Sequence, residues 1–435
     1  MIETASPRPE SSHRHHGPHA PRHDAAPIDA RSRPRYHEFD ALRATAVLLV
    51  VTVHAALAYT KFDFRRLLWG VRDPSAHLAF DVFCWWAMGV SVSLFFTISG
   101  FFASEIYDSR GPSEFLRGRF RRIVRPFLIA ALTILPLCFF AWAAGWLITG
   151  RCDLREIRRM RFADPAIEPD LYGPAHLWFL EYLILMLAGF FAFRHLESRR
   201  DPAPKTLPGR WVFSRWAPIA LALPTMLILL FGRYRFGIDA TFDRHNSFIP
   251  DPIRLLHYGS FFAYGVAVHR ARADLGLLAA RSPWYLLALA PVFAGRAWLL
   301  RQDNLNSLAP SATLLLAALG GLFAWLTVFG VLGLYRRLFL RPSRIVRYLA
   351  ERSYWIYLIH LPIVGFVQAD LYRLRWPTFA KFATTWVVTF AVGLASYRVL
   401  VRKPTKTPAV RHRLDPASSI SEPIVALREE RAAIS

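Results

Sequence analysis

In FDALRATAVLLVVTVHAAL, residues 39–57, two residues are of kinds that do chemistry: Arg43, a permanent cation, and His54, an imidazole that titrates near neutral pH. A guanidinium grips phosphate or carboxylate, and an imidazole takes up and returns a proton. They stand eleven residues apart. In a helix that spacing means about 16 Å along the axis and only about 20° around it, so both fall on one stripe. The stretch is otherwise apolar enough to cross a bilayer, where an ionisable residue is costly and by default faces the protein interior or a cavity. Two readings of His54 fit: a packing histidine bonded to a backbone carbonyl, or an acid–base group in a cavity.

Four more stretches carry chemistry-bearing residues. FLRGRFRRIVRPF, residues 115–127, packs Arg117, Arg119, Arg121, Arg122 and Arg125 ahead of Pro126, a residue suited to starting a helix. It reads as a positive-inside anchor or as a phosphate site for a nucleotide or coenzyme A. SYWIYLIHLPIV, residues 353–364, places His360 near one face with Tyr357 and Ser353, while Glu351 and Arg352 are positioned to pair just before it. HLWFLEYL, residues 176–183, opens a span with His176 and Trp178 and puts Glu181 one turn inside. Trp178 fits an interfacial belt, whereas a carboxylate at the depth of Glu181 is expensive. In LFFTISGFF, residues 94–102, Ser99 and Gly100 allow close approach of two helices.

The elements that must position these groups are membrane helices. The chain has 435 residues, 54% hydrophobic, with 34 Phe and 14 Trp, and its apolar residues come in long blocks. About 20 apolar residues cross the hydrocarbon, and ten such spans centre on 42–61, 80–106, 126–149, 176–193, 216–232, 253–269, 283–300, 311–335, 346–367 and 379–400. The expected fold is therefore an all-α polytopic membrane helical bundle of about ten spans. The net charge of +23 does not indicate a nucleic-acid partner, because the basic residues sit between apolar blocks rather than on a soluble domain. Alternate loops (107–125, 194–215, 270–282, 336–347, 398–412) are strongly basic, which puts both termini in the cytoplasm. Arg65, Arg66 and Arg72, in the outward loop 62–79, run against that rule.

Residues 1–36 read as a disordered basic His/Pro-rich cytoplasmic tail, 37–402 as the membrane domain and 403–435 as a second cytoplasmic tail. The histidines of the first tail match no zinc spacing, so no metal is expected there. The three cysteines, two in apolar blocks, suggest no disulfide framework. The first apolar block begins only near Leu42, so no cleavable signal peptide is expected.

Taken together, DALR with His54 eleven residues beyond Arg43, SGFF at 99–102, the arginine run ending in Pro126, HLWFL at 176–180 and SYWIYLIHLPIV at 353–364 resemble the acyltransferase 3 family of integral membrane acyltransferases. The likeness runs from Phe39 to about Leu400, and HLWFL points to the branch credited with succinylating periplasmic glucans. It implies transfer of an acyl group, succinyl or acetyl, from cytoplasmic acyl-CoA to a hydroxyl of an extracytoplasmic glucan or other saccharide. The location it implies is the bacterial inner membrane. No tightly bound cofactor is implied; succinyl-CoA or acetyl-CoA is the donor substrate.

By the same resemblance Arg43 and His54 are essential, with His360 a possible second catalytic member, and Arg119 and Arg122 match the family's RxxR associated with acyl-CoA. His176, Trp178, Glu181 and Ser99 are the candidates for contacting substrate. Other branches carry a W-S-L-x-x-E pattern, whereas here Glu181 follows Trp178 by three residues, so that glutamate's role does not carry over. If the acyl chain carries a carboxylate, Arg296 and Arg301 are candidate partners. The rival class is a polytopic secondary transporter of an anionic small molecule, which internal repeats or paired broken helices would favour; a non-enzymatic scaffold leaves the Arg43–His54 alignment without a reason.

Overall fold

The computed structural model describes residues 36–62, 68–168, 171–200, 206–236 and 246–401. Both expected tails, apart from Tyr36 at the boundary, lie outside the described residues, as do Arg65 and Arg66. Within the described residues the chain is an all-α bundle, and each expected span coincides with a long helix. These are α1 (His37–Ala56), α2 (Leu78–Arg119), α3 (Arg125–Ile148), α4 (Trp178–Arg200), α5 (Ala217–Phe236), α6 (Pro252–Arg270), α7 (Leu275–Asn304), α8 (Pro310–Leu338), α9 (Arg344–Tyr372) and α10 (Thr378–Ser396).

By length and hydropathy, eight helical stretches among the described residues qualify to cross a bilayer. The difference from ten has two sources. A continuous helical stretch of 71 residues, Leu78–Ile148, contains both α2 and α3. In addition α6 falls short because it carries Arg254, His257, His269 and Arg270. Large apolar side chains such as Leu132 (81% exposed) and Leu287 (66%) point outward, a surface that suits lipid and not water. The chain is a multi-pass membrane protein.

The arginine run is helical, where the sequence suggested a loop ending at a new helix. Gly111, at φ 78°, takes the left-handed conformation that breaks α2, and Pro112 begins the next helical run. Pro126 therefore does not start a helix. It lies inside one, just after a wide π-helical turn at Phe120–Val124, where the Arg125 N–H reaches back to Phe120 O. Proline has no N–H and crowds the turn before it, and a π turn absorbs the misfit. Arg119 consequently bonds Phe102 O across the hairpin at 2.9 Å, whereas Arg121, Arg122 and Arg125 are exposed.

Pairs between helix ends establish the sidedness. On one side Arg336 at the end of α8 pairs with Glu38 at the start of α1 (2.7 Å). There also Arg194 of α4 meets Asp108 of α2 (2.7 Å), and His269 of α6 meets Glu105 of α2 (2.8 Å). On the other side Arg233 at the end of α5 meets Asp303 at the end of α7, and Lys381 at the start of α10 meets Asp73 of the α1–α2 loop (2.6 Å). Every helix end is on the side that strict alternation assigns it, and the basic loops mark the first side as cytoplasmic.

Packing then closes the bundle. α2 and α6 touch backbone to backbone: a Cβ on Gly100 would sit 2.0 Å from Phe262 O, and one on Gly265 1.9 Å from Thr97 O. Gly100 thus serves the close approach expected of it. α1 lies between α2 and α9, and α3 and α10 pack on α9. α5, α7 and α8 form a separate buttress around Trp325, whose indole N–H donates to Thr225 Oγ1 (2.8 Å).

The Asp73–Lys381 pair is almost wholly buried, with 2% and 4% of the side chains exposed. Burial by itself would raise the Asp73 carboxyl, but hydrogen bonds from Lys381 and Ser75 outweigh it and hold it below the usual carboxylate range. A depressed carboxyl contributes stability above its unfolded value, about 3.9, and that contribution disappears as pH falls through the lower folded value. Asp73→Asn, which leaves Lys381 buried without its charge partner, is expected to cost about 3 kcal/mol at neutral pH. It should also remove the part of the stability loss seen on acidification below about pH 4. Thermal unfolding of the detergent-solubilised protein at both pH values measures both effects.

Candidate active site

The elements with chemistry-bearing residues converge on one cavity of about 210 Å³. Arg43, Val47, Val50, Val53, His54 and Leu57 line it from α1, a stripe at helical spacing. The other walls come from Ser91 and Phe95 of α2, Trp142 of α3, Trp178 of α4, Arg254 and Tyr258 of α6, and Ser353, Tyr354 and Tyr357 of α9. The cavity thus extends from the level of Arg43, on the cytoplasmic half of α1, to the level of His54, near its outer end.

Three imidazoles meet at the outer part, and each donates a ring N–H to a backbone carbonyl. His54 Nδ1 lies 2.8 Å from Val50 O, His360 Nδ1 2.7 Å from Tyr357 O, and His176 Nε2 2.9 Å from Leu358 O. A carbonyl only accepts, so each of those nitrogens carries the proton. His360 Nε2, left with its lone pair, faces His54 Nδ1 at 3.2 Å and shares that N–H with Val50 O. Neutral His54 therefore has its basic lone pair on Nε2. The His176 ring centroid is 5.0 Å from that of His360, and buried His176 Nδ1 has no hydrogen-bond partner among the described residues.

The acceptor for His176 comes from the sequence itself. In a regular helix Leu358 O would bond the N–H of residue 362, but that residue is Pro362, which has none. The proline frees one carbonyl in the membrane interior, and His176 takes it up. Tyr357 OH returns a hydrogen bond to His176 O (2.7 Å), so α4 is fixed to α9 in both directions.

A loop closes the outer end. Trp69 stacks on His54 with ring centroids 5.8 Å apart and packs edge-on against Trp142 (4.8 Å). Its indole N–H donates to Gln368 Oε1 (2.7 Å), and Gln368 Nε2 donates to His54 O (3.2 Å) and Ala55 O (3.0 Å). These are last-turn carbonyls of α1 that have no partner within the helix. Trp142 Nε1 in turn holds Leu68 O at 2.9 Å.

The remaining sequence candidates fall as follows. Arg43 lines the cavity and also bonds Asp40 (2.8 Å), with its Nε buried and not hydrogen-bonded among the described residues. Arg119 lies against α2 and Arg122 is exposed, so they do not converge on one point, although both are at the cytoplasmic end. Trp178 lines the cavity. Glu181, half-buried, and Ser99 are not among its lining residues, and Ser91 supplies the hydroxyl of α2 there. Arg296 is buried elsewhere, over the Phe323 ring, and Arg301 is exposed. Arg352 lies 3.8 Å from Glu351, as expected, but it stacks more closely on Tyr348. Among the described residues no group of three or more His, Cys, Asp or Glu is placed to hold a metal ion.

The sequence reading missed Trp69, Tyr258, Gln368 and Arg254. Arg254 carried a usable signal: like Glu181, it is an ionisable residue one turn into a span. Trp69 had none, because loops have no periodicity to read.

A bundle of membrane helices around an enclosed pocket of imidazoles, with a cation toward the cytoplasm, is the frame on which comparison with known proteins can be judged. A family model described as an acyltransferase domain matches residues 36–398. The chain belongs to that family, acyltransferase 3, and is a membrane acyltransferase that transfers groups other than aminoacyl groups. Comparison with curated proteins and with solved structures returns no match.

The role of Pro362 can be tested directly. In Pro362→Ala the restored N–H competes for Leu358 O, and His176 loses its acceptor at about 1 kcal/mol, roughly fivefold in rate if His176 must hold its orientation. Helix stability should rise or stay level, since alanine is the better helix former. Acyl transfer and the unfolding temperature, measured on one preparation, should therefore move apart.

Proposed function

We propose that the protein moves an acyl group from cytoplasmic acyl-CoA to a hydroxyl of an extracytoplasmic saccharide, in the inner membrane of a bacterium. The observation that carries this reading is the single cavity joining Arg43 to the His54–His360 pair. An anionic carrier held at the cytoplasmic end, with a long neutral arm, has its reactive end presented to a base about 16 Å further out. Coenzyme A has that shape: phosphates at one end, an uncharged pantetheine arm, a thioester at the tip. Arg43 and the exposed Arg122 supply cations for the phosphates, with Arg119 beside them.

In this reading His54 Nε2 takes the proton from the acceptor hydroxyl as its oxygen attacks the thioester carbonyl carbon. The tetrahedral adduct collapses with cleavage of the carbon–sulfur bond. The thiolate leaves and recovers the proton from His54, giving an ester and free CoA. As His54 becomes an imidazolium, its Nδ1–H already has two acceptors, Val50 O and His360 Nε2. His360 acts as a positioning residue that holds the tautomer and spreads the positive charge, the part played by the third member of a hydrolase triad. Trp178, His176 and Trp69 form the outer part of the pocket, where the saccharide hydroxyl arrives. The HLWFL motif supports a glucan as acceptor.

Expected results follow for label transfer from acyl-CoA to envelope saccharide in membrane vesicles. His54→Ala should lower transfer by about 100-fold or more, with the protein still inserted, and His360→Ala by a smaller factor. An inserted His54→Ala variant with wild-type transfer would remove His54 as the base.

A further inference from the structure

Besides Arg43, the cavity has a second cation, at its outer half. Arg254 lies in the first turn of α6, just beyond the Asp251–Pro252 start, and is 5% exposed. It lines the same pocket as His54, Trp178 and Tyr258. Its Nε and Nη2 are buried and have no hydrogen-bond partner among the described residues. The nearest carboxylate, Asp251, comes no closer than 3.8 Å to Nε. Asp251 is otherwise engaged, its Oδ1 accepting the Ile253 N–H at 2.8 Å. A buried guanidinium with unmet donors is strongly unfavourable unless an anion completes it, and its planar fork is shaped for a carboxylate.

The anion that completes Arg254 comes from one of the two substrates. On the reading above, the coenzyme phosphates stay at the Arg43 end, and the pantetheine arm has no charge. What reaches the outer half is the acyl chain and the acceptor hydroxyl. The walls around Arg254 are aromatic, with Trp178 and Tyr258 at 5.5 Å from one another and Phe179 beside them. That is an enclosure for a short aliphatic chain with one charged tip. We infer that Arg254 selects an acyl group ending in a carboxylate, so that the donor is the monothioester of a short dicarboxylic acid. This deepens the proposed acyl-CoA reading and rests on it. It also moves the selecting cation from Arg296 and Arg301 to a residue in the cavity wall.

The test uses the full chain in lipid nanodiscs and two non-reactive donor mimics of equal chain length, S-(3-carboxypropyl)-CoA and S-butyl-CoA, with free CoA as a third ligand. Calorimetry should show the wild type binding the carboxylated mimic at least tenfold more tightly than the butyl one. Arg254→Gln should bring the two affinities within about threefold of each other, and Arg254→Lys should retain part of the preference. Equal binding of the two mimics by the wild type overturns the inference whether or not the glutamine variant folds, and so does a preference that survives in Arg254→Gln. In either case His54-dependent transfer from neutral acyl-CoA leaves the acyltransferase reading standing. If none of the three CoA ligands binds, both fall. If only transfer to an acidic oligosaccharide, compared with a neutral one, depends on Arg254, the anion belongs to the acceptor and the inference is overturned.

Discussion

A buried imidazole needs a carbonyl for its N–H, and a membrane helix has already used nearly all of its carbonyls within itself. The arrangement of this protein follows from how three histidines meet that need. His54 shares Val50 O one turn back, and His360 shares Tyr357 O in the same way. His176 takes the one carbonyl that Pro362 releases. Each bond fixes a tautomer, so the directions in which protons can be accepted follow from backbone geometry. The His54–His360 contact is then a pair with defined donor and acceptor.

The rest of the bundle keeps that arrangement in register. Gln368 holds the end of α1, Trp69 covers the His54 ring, and Trp142 holds the loop that carries Trp69. The buried Asp73–Lys381 pair ties the same loop to α10. On the opposite face the glycine contacts of α2 and α6 bring Tyr258 and Arg254 to the cavity. Helices α5, α7 and α8 stand behind this wall, so the pocket lies on one side of the bundle.

The number and order of the spans could be read from the sequence, because lipid demands some 20 apolar residues per crossing and leaves little room for other solutions. The Arg43–His54 stripe was legible for the same reason: helical periodicity is fixed. Meeting of His54 with His360 was not, since pairing between helices 306 residues apart depends on packing that local patterns do not encode. The helical state of the arginine run was hidden by its charge, which reads as a loop. Arg254 was hidden by a helix too polar to look like a span at all. Trp69 acts from a loop, where only tertiary contacts give a residue its place.

The wide turn at Phe120–Val124 has a consequence for how this chain can vary in length. A π turn holds one residue more than the α-helix around it, so it is a phase shift in the helical screw. Removing one residue there would restore a regular helix while rotating everything on one side by about 100° against the other. Arg119 would leave α2, and the outward arginines would turn elsewhere, although no arginine had been lost. Composition would be unchanged and the direction of the charges would not. Spacing through this turn is therefore a tighter constraint than the identity of any single residue within it.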